Sequence, residues 1–240
     1  MKRLLAWLGG HELAVLLGGI GVVAGIWIFV AIAGEVMEGD TLAFDRKILL
    51  SMRHPGDLSP IGPASLQESA RDVTALGGVA VLGLLTVSIG AFLALDGKGR
   101  MAGFICASIL GGLAVSTVLK DLFQRPRPDL VPHGSYVFTS SFPSGHSMMS
   151  AVTYLTLGAL LARAHERKRM KAFFLILAAL LTFCVGVSRV YLGVHWPTDV
   201  LAGWTAGTVW ALICWLTARW LQGRKALEPE AELSLTSRPL

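Results

Sequence analysis

Two stretches of the chain gather residues whose types and spacing suit work on a polyvalent anion. The first holds Lys120, Arg127-Pro128 and Pro143-Ser144-Gly145-His146; the second holds Ser188-Arg189, His195 and Asp199. Lys120, Arg127 and Arg189 are three cations, and three cations in one pocket repel one another unless an anion of more than one charge lies between them. A phosphoryl group meets that need, and the planar guanidinium fork grips two of its oxygens at once. Ser144 and Gly145 stand where a helix would begin, so free backbone N–H groups there can point at the same oxygens. Gly145 has no Cβ to keep the backbone away from a ligand.

His195 precedes Pro197, which fits the first turn of a helix because its missing N–H is not needed there. Asp199, four residues after His195, is placed to reach back to the imidazole. A carboxylate on one ring nitrogen fixes the tautomer and leaves the other nitrogen free to attack. His146, from the other stretch, is placed to protonate a departing alkoxide. Arg125 is read as a second basic residue of the Arg-Pro-Arg-Pro run and is kept outside the site. Singly, each of these residues also reads as an interfacial anchor or a helix-end charge; their concentration on one face is what argues for chemistry.

That shared face follows from the elements around them. The 240 residues are 53% hydrophobic and only 15% charged, against roughly a quarter charged in soluble domains. The apolar residues fall in blocks close to the roughly 20 residues a helix needs to cross a bilayer. Six spans are expected, at about 13–34, 74–95, 101–119, 147–165, 171–188 and 199–221. The first is read as an uncleaved span and not a signal peptide, because its apolar stretch is long for one. The segments 120–146 and 189–198 follow the third and fifth spans, so both emerge on the same side. Lys and Arg collect on the opposite side, most sharply from Arg167 to Lys171, which places both termini in the cytoplasm and the charged loops outside. The net charge of +5 belongs to these span ends, so no nucleic-acid partner is expected.

Residues 35–70 read either as a connecting loop or as a surface helix with Phe44, Ile48 and Leu49 on its apolar face. A membrane domain over 1–222 and a polar, mobile tail over 223–240 are expected. Cys106, Cys184 and Cys214 lie in apolar blocks without metal-ligand spacing and read as packing residues. Gly18, Gly19 and Gly21 offer a face for close packing against another helix; the oligomeric state stays open.

In order, Lys120–x6–Arg127-Pro128, then Pro143-Ser144-Gly145-His146, then Ser188-Arg189–x5–His195–x3–Asp199 resembles the three-part signature of the type 2 phosphatidic acid phosphatase superfamily. The vanadium haloperoxidases and bacterial acid phosphatases are its soluble relatives. All three parts match in order and spacing. The resemblance implies an all-α polytopic membrane protein, six transmembrane helices in a bundle, with a phosphatidic acid phosphatase/haloperoxidase-like core. It implies a phosphohistidine at His195, orientation of that ring by Asp199, and general acid action by His146. Lys120, Arg127, Ser144, Gly145 and Arg189 would hold the phosphate oxygens, with no metal or other cofactor. The substrate would be a lipid phosphate such as phosphatidic acid, phosphatidylglycerol phosphate or undecaprenyl diphosphate, in a bacterial plasma membrane with the site outside. Phosphotransfer to another acceptor uses the same intermediate and stays open. A non-enzymatic anion or lipid transporter would instead place charges within the spans, whose interiors are nearly free of them.

Overall fold

A computed structural model of the chain describes residues 10–131 and 139–227. Eight helices occur among them: α1 Gly10–Glu38, α2 Leu42–Ser51, α3 Ala64–Ala75, α4 Val79–Leu95, α5 Gly99–Phe123, α6 Gly145–Arg163, α7 Lys168–Tyr191 and α8 Pro197–Gly223. The fold is all-α, as the apolar blocks require.

The count of six spans does not hold. By length and composition four helices can cross a membrane: Leu13–Glu38, Gly99–Phe123, Lys168–Tyr191 and Pro197–Gly223. A fifth is reached only if α3 and α4, bent by 46° at their junction, count as one broken span. The expected fourth span forms a helix, α6, of 19 residues, but it is not apolar enough to qualify. The physical reason lies in its position. It packs against α5, α7 and α8, and every residue from Ser147 to Tyr154 is buried. A helix enclosed by protein does not have to satisfy lipid, so Ser147, Ser150 and Thr153 are admitted to its faces.

Small residues let the central helices approach. A Cβ at Gly203 would lie 2.6 Å from the Ser144 carbonyl oxygen, and one at Gly207 would lie 2.5 Å from that of Met148. With Ala211, these form a small-residue stripe at i, i+4 spacing along α8, the pattern that allows close helix contact in membranes. Gly18, Gly21 and Gly25 of α1 face Trp215, Leu212 and Val209 of α8. This glycine-rich face is therefore used within the chain, while a Cβ at Gly19 would meet nothing within 4 Å among the described residues.

The segment 35–70 resolves in favour of a helix. In α2 the three apolar residues divide: Phe44 is exposed, Ile48 half-packed, and Leu49 fully buried with Val131, Val190, Trp196 and Val200. The apolar face thus turns largely inward, toward the α7–α8 connection. Arg53, just beyond it, is buried and donates to the Tyr191 carbonyl at 2.7 Å. Farther along, Phe29 of α1, Phe123 and Phe142 meet with ring centroids 5.0–6.1 Å apart, which seats α1 against the loop that leads into α6. After α8 the chain turns back, and Leu227 is buried in the main core. The rest of the expected tail, 228–240, lies outside the described residues.

Candidate active site

The expected site residues come from the ends of α5, α6, α7 and α8 and from the two loops between them. Lys120 sits in the last turn of α5 and donates to the Ser140 carbonyl at 2.7 Å, while Ser140 Oγ returns a bond to the Lys120 carbonyl at 2.8 Å. Ser144 caps α6, with its Oγ accepting from the Ser147 N–H and its own N–H donating to the Asp199 carbonyl at 2.9 Å. The starts of α6 and α8 are thereby joined. A Cβ at Gly145 would stand 3.1 Å from Lys120 Cε, so glycine here leaves room for the lysine beside the helix start.

Arg127 is held by its loop surroundings. Its Nε donates to the Thr139 carbonyl at 2.8 Å, and Nη1 donates to the Val194 carbonyl at 2.7 Å. The same Nη1 is 3.1 Å from His195 Nε2. A guanidinium only donates, so Nε2 accepts, and the ring proton belongs on Nδ1. Nδ1 faces Asp199 Oδ2 at 3.4 Å and Ser141 Oγ at 3.4 Å. The Asp199 contact is longer than that carboxylate's bond from the Trp196 N–H, 2.9 Å. Asp199 Oδ2 also accepts a close hydrogen bond from Ser141 Oγ.

His195 is 1% exposed and Asp199 is fully buried. Burial, reinforced by the cations Arg189, Arg127 and Lys120 and by His146, holds His195 well below the ordinary imidazole range. Both effects favour the neutral ring, whose Nε2 faces Arg127. Arg189, 2% exposed on the last turn of α7, donates to Thr74 Oγ1 at 3.3 Å, and its Nε has no hydrogen-bond partner among the described residues. A buried guanidinium N–H without an acceptor is costly, and an anion placed among these cations supplies one. His146 opens α6 beside the α3–α4 break: a Cβ on Gly77 would stand 3.1 Å from its carbonyl oxygen, and one on Gly78 3.8 Å from its Nε2. All eight expected residues thus meet at one end of the bundle, within a single electrostatic neighbourhood. Among the described residues, no three His, Cys, Asp or Glu side chains are grouped so as to hold a metal ion.

Sequence reasoning missed what stands behind Asp199. Arg125, read as a second basic residue of its run and kept outside the site, is buried and donates to Asp199 Oδ1 at 2.6 Å and to Asp45 Oδ2 at 2.8 Å. Asp45 of α2 is fully buried. Its position one helical turn before the inward-facing Leu49 was the available signal. Trp196, beside His195, is 5% exposed and packs in the cluster with Leu49.

Residues 102–222 match the family model of the PAP2 superfamily. Phosphatidylglycerophosphatase B of Bacillus subtilis (strain 168) is 37% identical over 146 residues, which cover 59% of this chain and 70% of that protein. An undecaprenyl-diphosphatase of Sulfolobus acidocaldarius is 33% identical over 110 residues, covering 44% of this chain and about half, 47%, of its relative. In three dimensions the chain resembles the crystal structure of a transmembrane PAP2-type phosphatidylglycerolphosphate phosphatase from Bacillus subtilis. The TM-score is 0.73 at 28% identity, with 83% of this chain and 96% of that one covered. The chain belongs to the PAP2 superfamily, the type 2 phosphatidic acid phosphatases, and is a membrane-integrated hydrolase of lipid phosphates or diphosphates.

Proposed function

We propose that this enzyme hydrolyses the terminal phosphate of a bacterial membrane lipid through a phosphohistidine at His195, with phosphatidylglycerol phosphate the first candidate substrate. The observation that carries the mechanism is the pose of His195: Nε2 faces Arg127 Nη1 at 3.1 Å, and Nδ1 is turned to the buried Asp199. Likeness, in sequence and in three dimensions, to phosphatidylglycerol phosphate phosphatase of Bacillus subtilis supports the choice of lipid. Likeness to the undecaprenyl-diphosphatase keeps the diphosphate as the competitor in the test.

In the first step Nε2 attacks phosphorus and the bond from phosphorus to the lipid oxygen breaks. Lys120, Arg127, Arg189, the Ser144 hydroxyl and the Gly145 N–H stabilise the charge on the equatorial oxygens. A phosphate anion beside His146 favours the protonated form of that imidazole, which gives its proton to the departing alkoxide. In the second step water attacks the phosphohistidine while His146, now neutral, takes a proton from it. The P–N bond breaks, and its electron pair returns to Nε2. The Asp199 carboxylate meets the positive charge on the ring between the two steps.

A lipid phosphate carries its headgroup at the interface and its tails in hydrocarbon, so a site at the helix ends meets the headgroup where it already lies. Concentration of Lys and Arg at the other end of the bundle supports an extracytoplasmic site with cytoplasmic termini. The test offers phosphatidylglycerol phosphate, phosphatidic acid and undecaprenyl diphosphate in parallel to purified protein in detergent, with excess chelator. Phosphate release from phosphatidylglycerol phosphate that survives the chelator and is lost in His195→Ala is the expected result. Faster release from undecaprenyl diphosphate would overturn the lipid assignment. Transfer of label to an alcohol acceptor without free phosphate would overturn hydrolysis.

A further inference from the structure

Asp199 does not stand alone behind His195. Arg125 Nη1 donates to Asp199 Oδ1 at 2.6 Å and to Thr198 Oγ1 at 2.9 Å, while Nη2 donates to Asp45 Oδ2 at 2.8 Å. Thr198, the residue before Asp199, donates to Asp45 twice: its N–H to Oδ1 at 2.9 Å and its Oγ1 to Oδ2 at 2.7 Å. The guanidinium also lies 5.6 Å from the Trp196 ring centroid. Asp45 and Asp199 are fully buried, and Arg125 is 8% exposed. Asp45 comes from α2, outside the segment 102–222 that matches the family model.

The charges run in a row: Asp45 carboxylate, Arg125 guanidinium, Asp199 carboxylate, His195 imidazole. Paired with Arg125 alone, Asp199 would be largely neutralised and would do little for an imidazolium. With Asp45 on the far side of the guanidinium, one negative charge is left over. Phosphorylation of Nε2 turns the ring cationic, so that surplus is in place when the charge appears. In a buried site such fixed charges are little screened.

We infer that Arg125 and Asp45 are positioning residues for His195, acting through Asp199: Arg125 holds and orients the carboxylate, and Asp45 restores the negative charge that Arg125 would otherwise cancel. The inference rests on His195 as the nucleophile. It makes α2 part of the catalytic apparatus, because α2 carries the residue that sets the charge behind the ring.

The test is the pH dependence of kcat/KM for lipid phosphate hydrolysis by the full-length protein, in wild type, Asp45→Asn, Arg125→Met, Arg125→Lys and His195→Ala. The other charged and titratable groups around the ring, namely Arg189 from α7, Lys120 from α5, His146 from α6 and Arg127 from its loop, are common to all variants. Removing the negative charge of Asp45 lowers the proton affinity of His195 and moves the acid limb to lower pH. Removing the positive charge of Arg125 raises it and moves the limb to higher pH. Arg125→Lys keeps the charge, so its limb stays with wild type while kcat falls with the lost bridge between Asp199 and Asp45. A misplacement behind a reacting group costs about 100-fold, and a fall of that order in kcat with KM little changed is expected for Arg125→Met. Asn at position 45 keeps an acceptor for the Thr198 N–H, so this variant carries the test if Arg125→Met does not fold. Limbs that shift in opposite directions support the inference. Acid limbs that coincide with wild type in folded Asp45→Asn would overturn it and leave a purely structural latch. Activity in His195→Ala would overturn the nucleophile reading instead, which separates the two failures.

Discussion

In the proposed cycle each imidazole is defined by its surroundings more than by its intrinsic chemistry. His195 has a cation against Nε2 and carboxylate and hydroxyl oxygens against Nδ1, so one nitrogen keeps its lone pair and the other its proton. Its affinity for a proton is lowered by burial and by the neighbouring cations. A group so shifted stays a free base as pH falls through the ordinary histidine value of about 6.5. The acid limb of kcat/KM, after allowance for the substrate's own ionisation, is therefore expected well below pH 6.5; a limb at or above that value would contradict the burial argument. His146 answers to a different test. Its replacement by Ala slows release of a lipid alcohol far more than release of nitrophenol, which leaves without a proton; equal losses on both substrates would remove it from the role of acid. Lys120, Arg127, Arg189 and the two histidines were legible in the sequence because they crowd into two short segments. Arg125 was not. A single arginine beside a span reads as an anchor, and its partner Asp45 lies 80 residues away on α2. Nothing in local spacing joins them.

At the scale of the helices, function depends on how closely α6 and α8 begin beside each other. The Ser144 N–H bonds to the Asp199 carbonyl, and Gly203 lies against the Ser144 carbonyl. One half of the site, Ser144 to His146, is thereby locked to the other, His195 to Asp199. Gly203→Ala forces backbone to move at this contact, because the obstructing atom is a carbonyl oxygen and not a flexible side chain. Overpacking of this kind costs typically 1–3 kcal/mol, roughly. Thermal unfolding should therefore begin at lower temperature, with a loss of kcat beyond that of a remote Gly19→Ala control, whose position faces open space. Equal behaviour of the two variants would show that the helix starts tolerate separation. The helices themselves were legible from their apolar blocks, but their number as spans was not. Block length does not distinguish a helix that meets lipid from one enclosed by its neighbours, and α6 is of the second kind. The α3–α4 break at Gly77-Gly78 was also hidden, because two glycines in an apolar run read as part of one span. Their reason is spatial: Gly77 faces Val185 and His146.

Over the whole molecule, the helices place a charged, largely buried cluster at one end of an apolar bundle. The exposed surface is rich in large apolar side chains, among them Val23, Trp27, Val30, Leu84, Leu110 and Ile176, as a chain solvated by lipid requires. The family signature in residues 120–199 carried the class of chemistry, and the membership of residues 102–222 in the PAP2 superfamily agrees with it. What lies outside that segment was less legible. The role of α2 depends on Asp45 reaching the start of α8, a contact set by tertiary packing with no pattern in sequence. The central claim is that phosphate passes through a covalent bond to His195. The most direct measurement is rapid acid-free quenching of the enzyme after mixing with lipid labelled in its terminal phosphate, followed by mapping of the labelled residue. The account predicts a base-stable, acid-labile phosphoryl group on His195 that forms and decays at rates competent for turnover. Turnover with no label on His195, under conditions that preserve phosphohistidine, would contradict it.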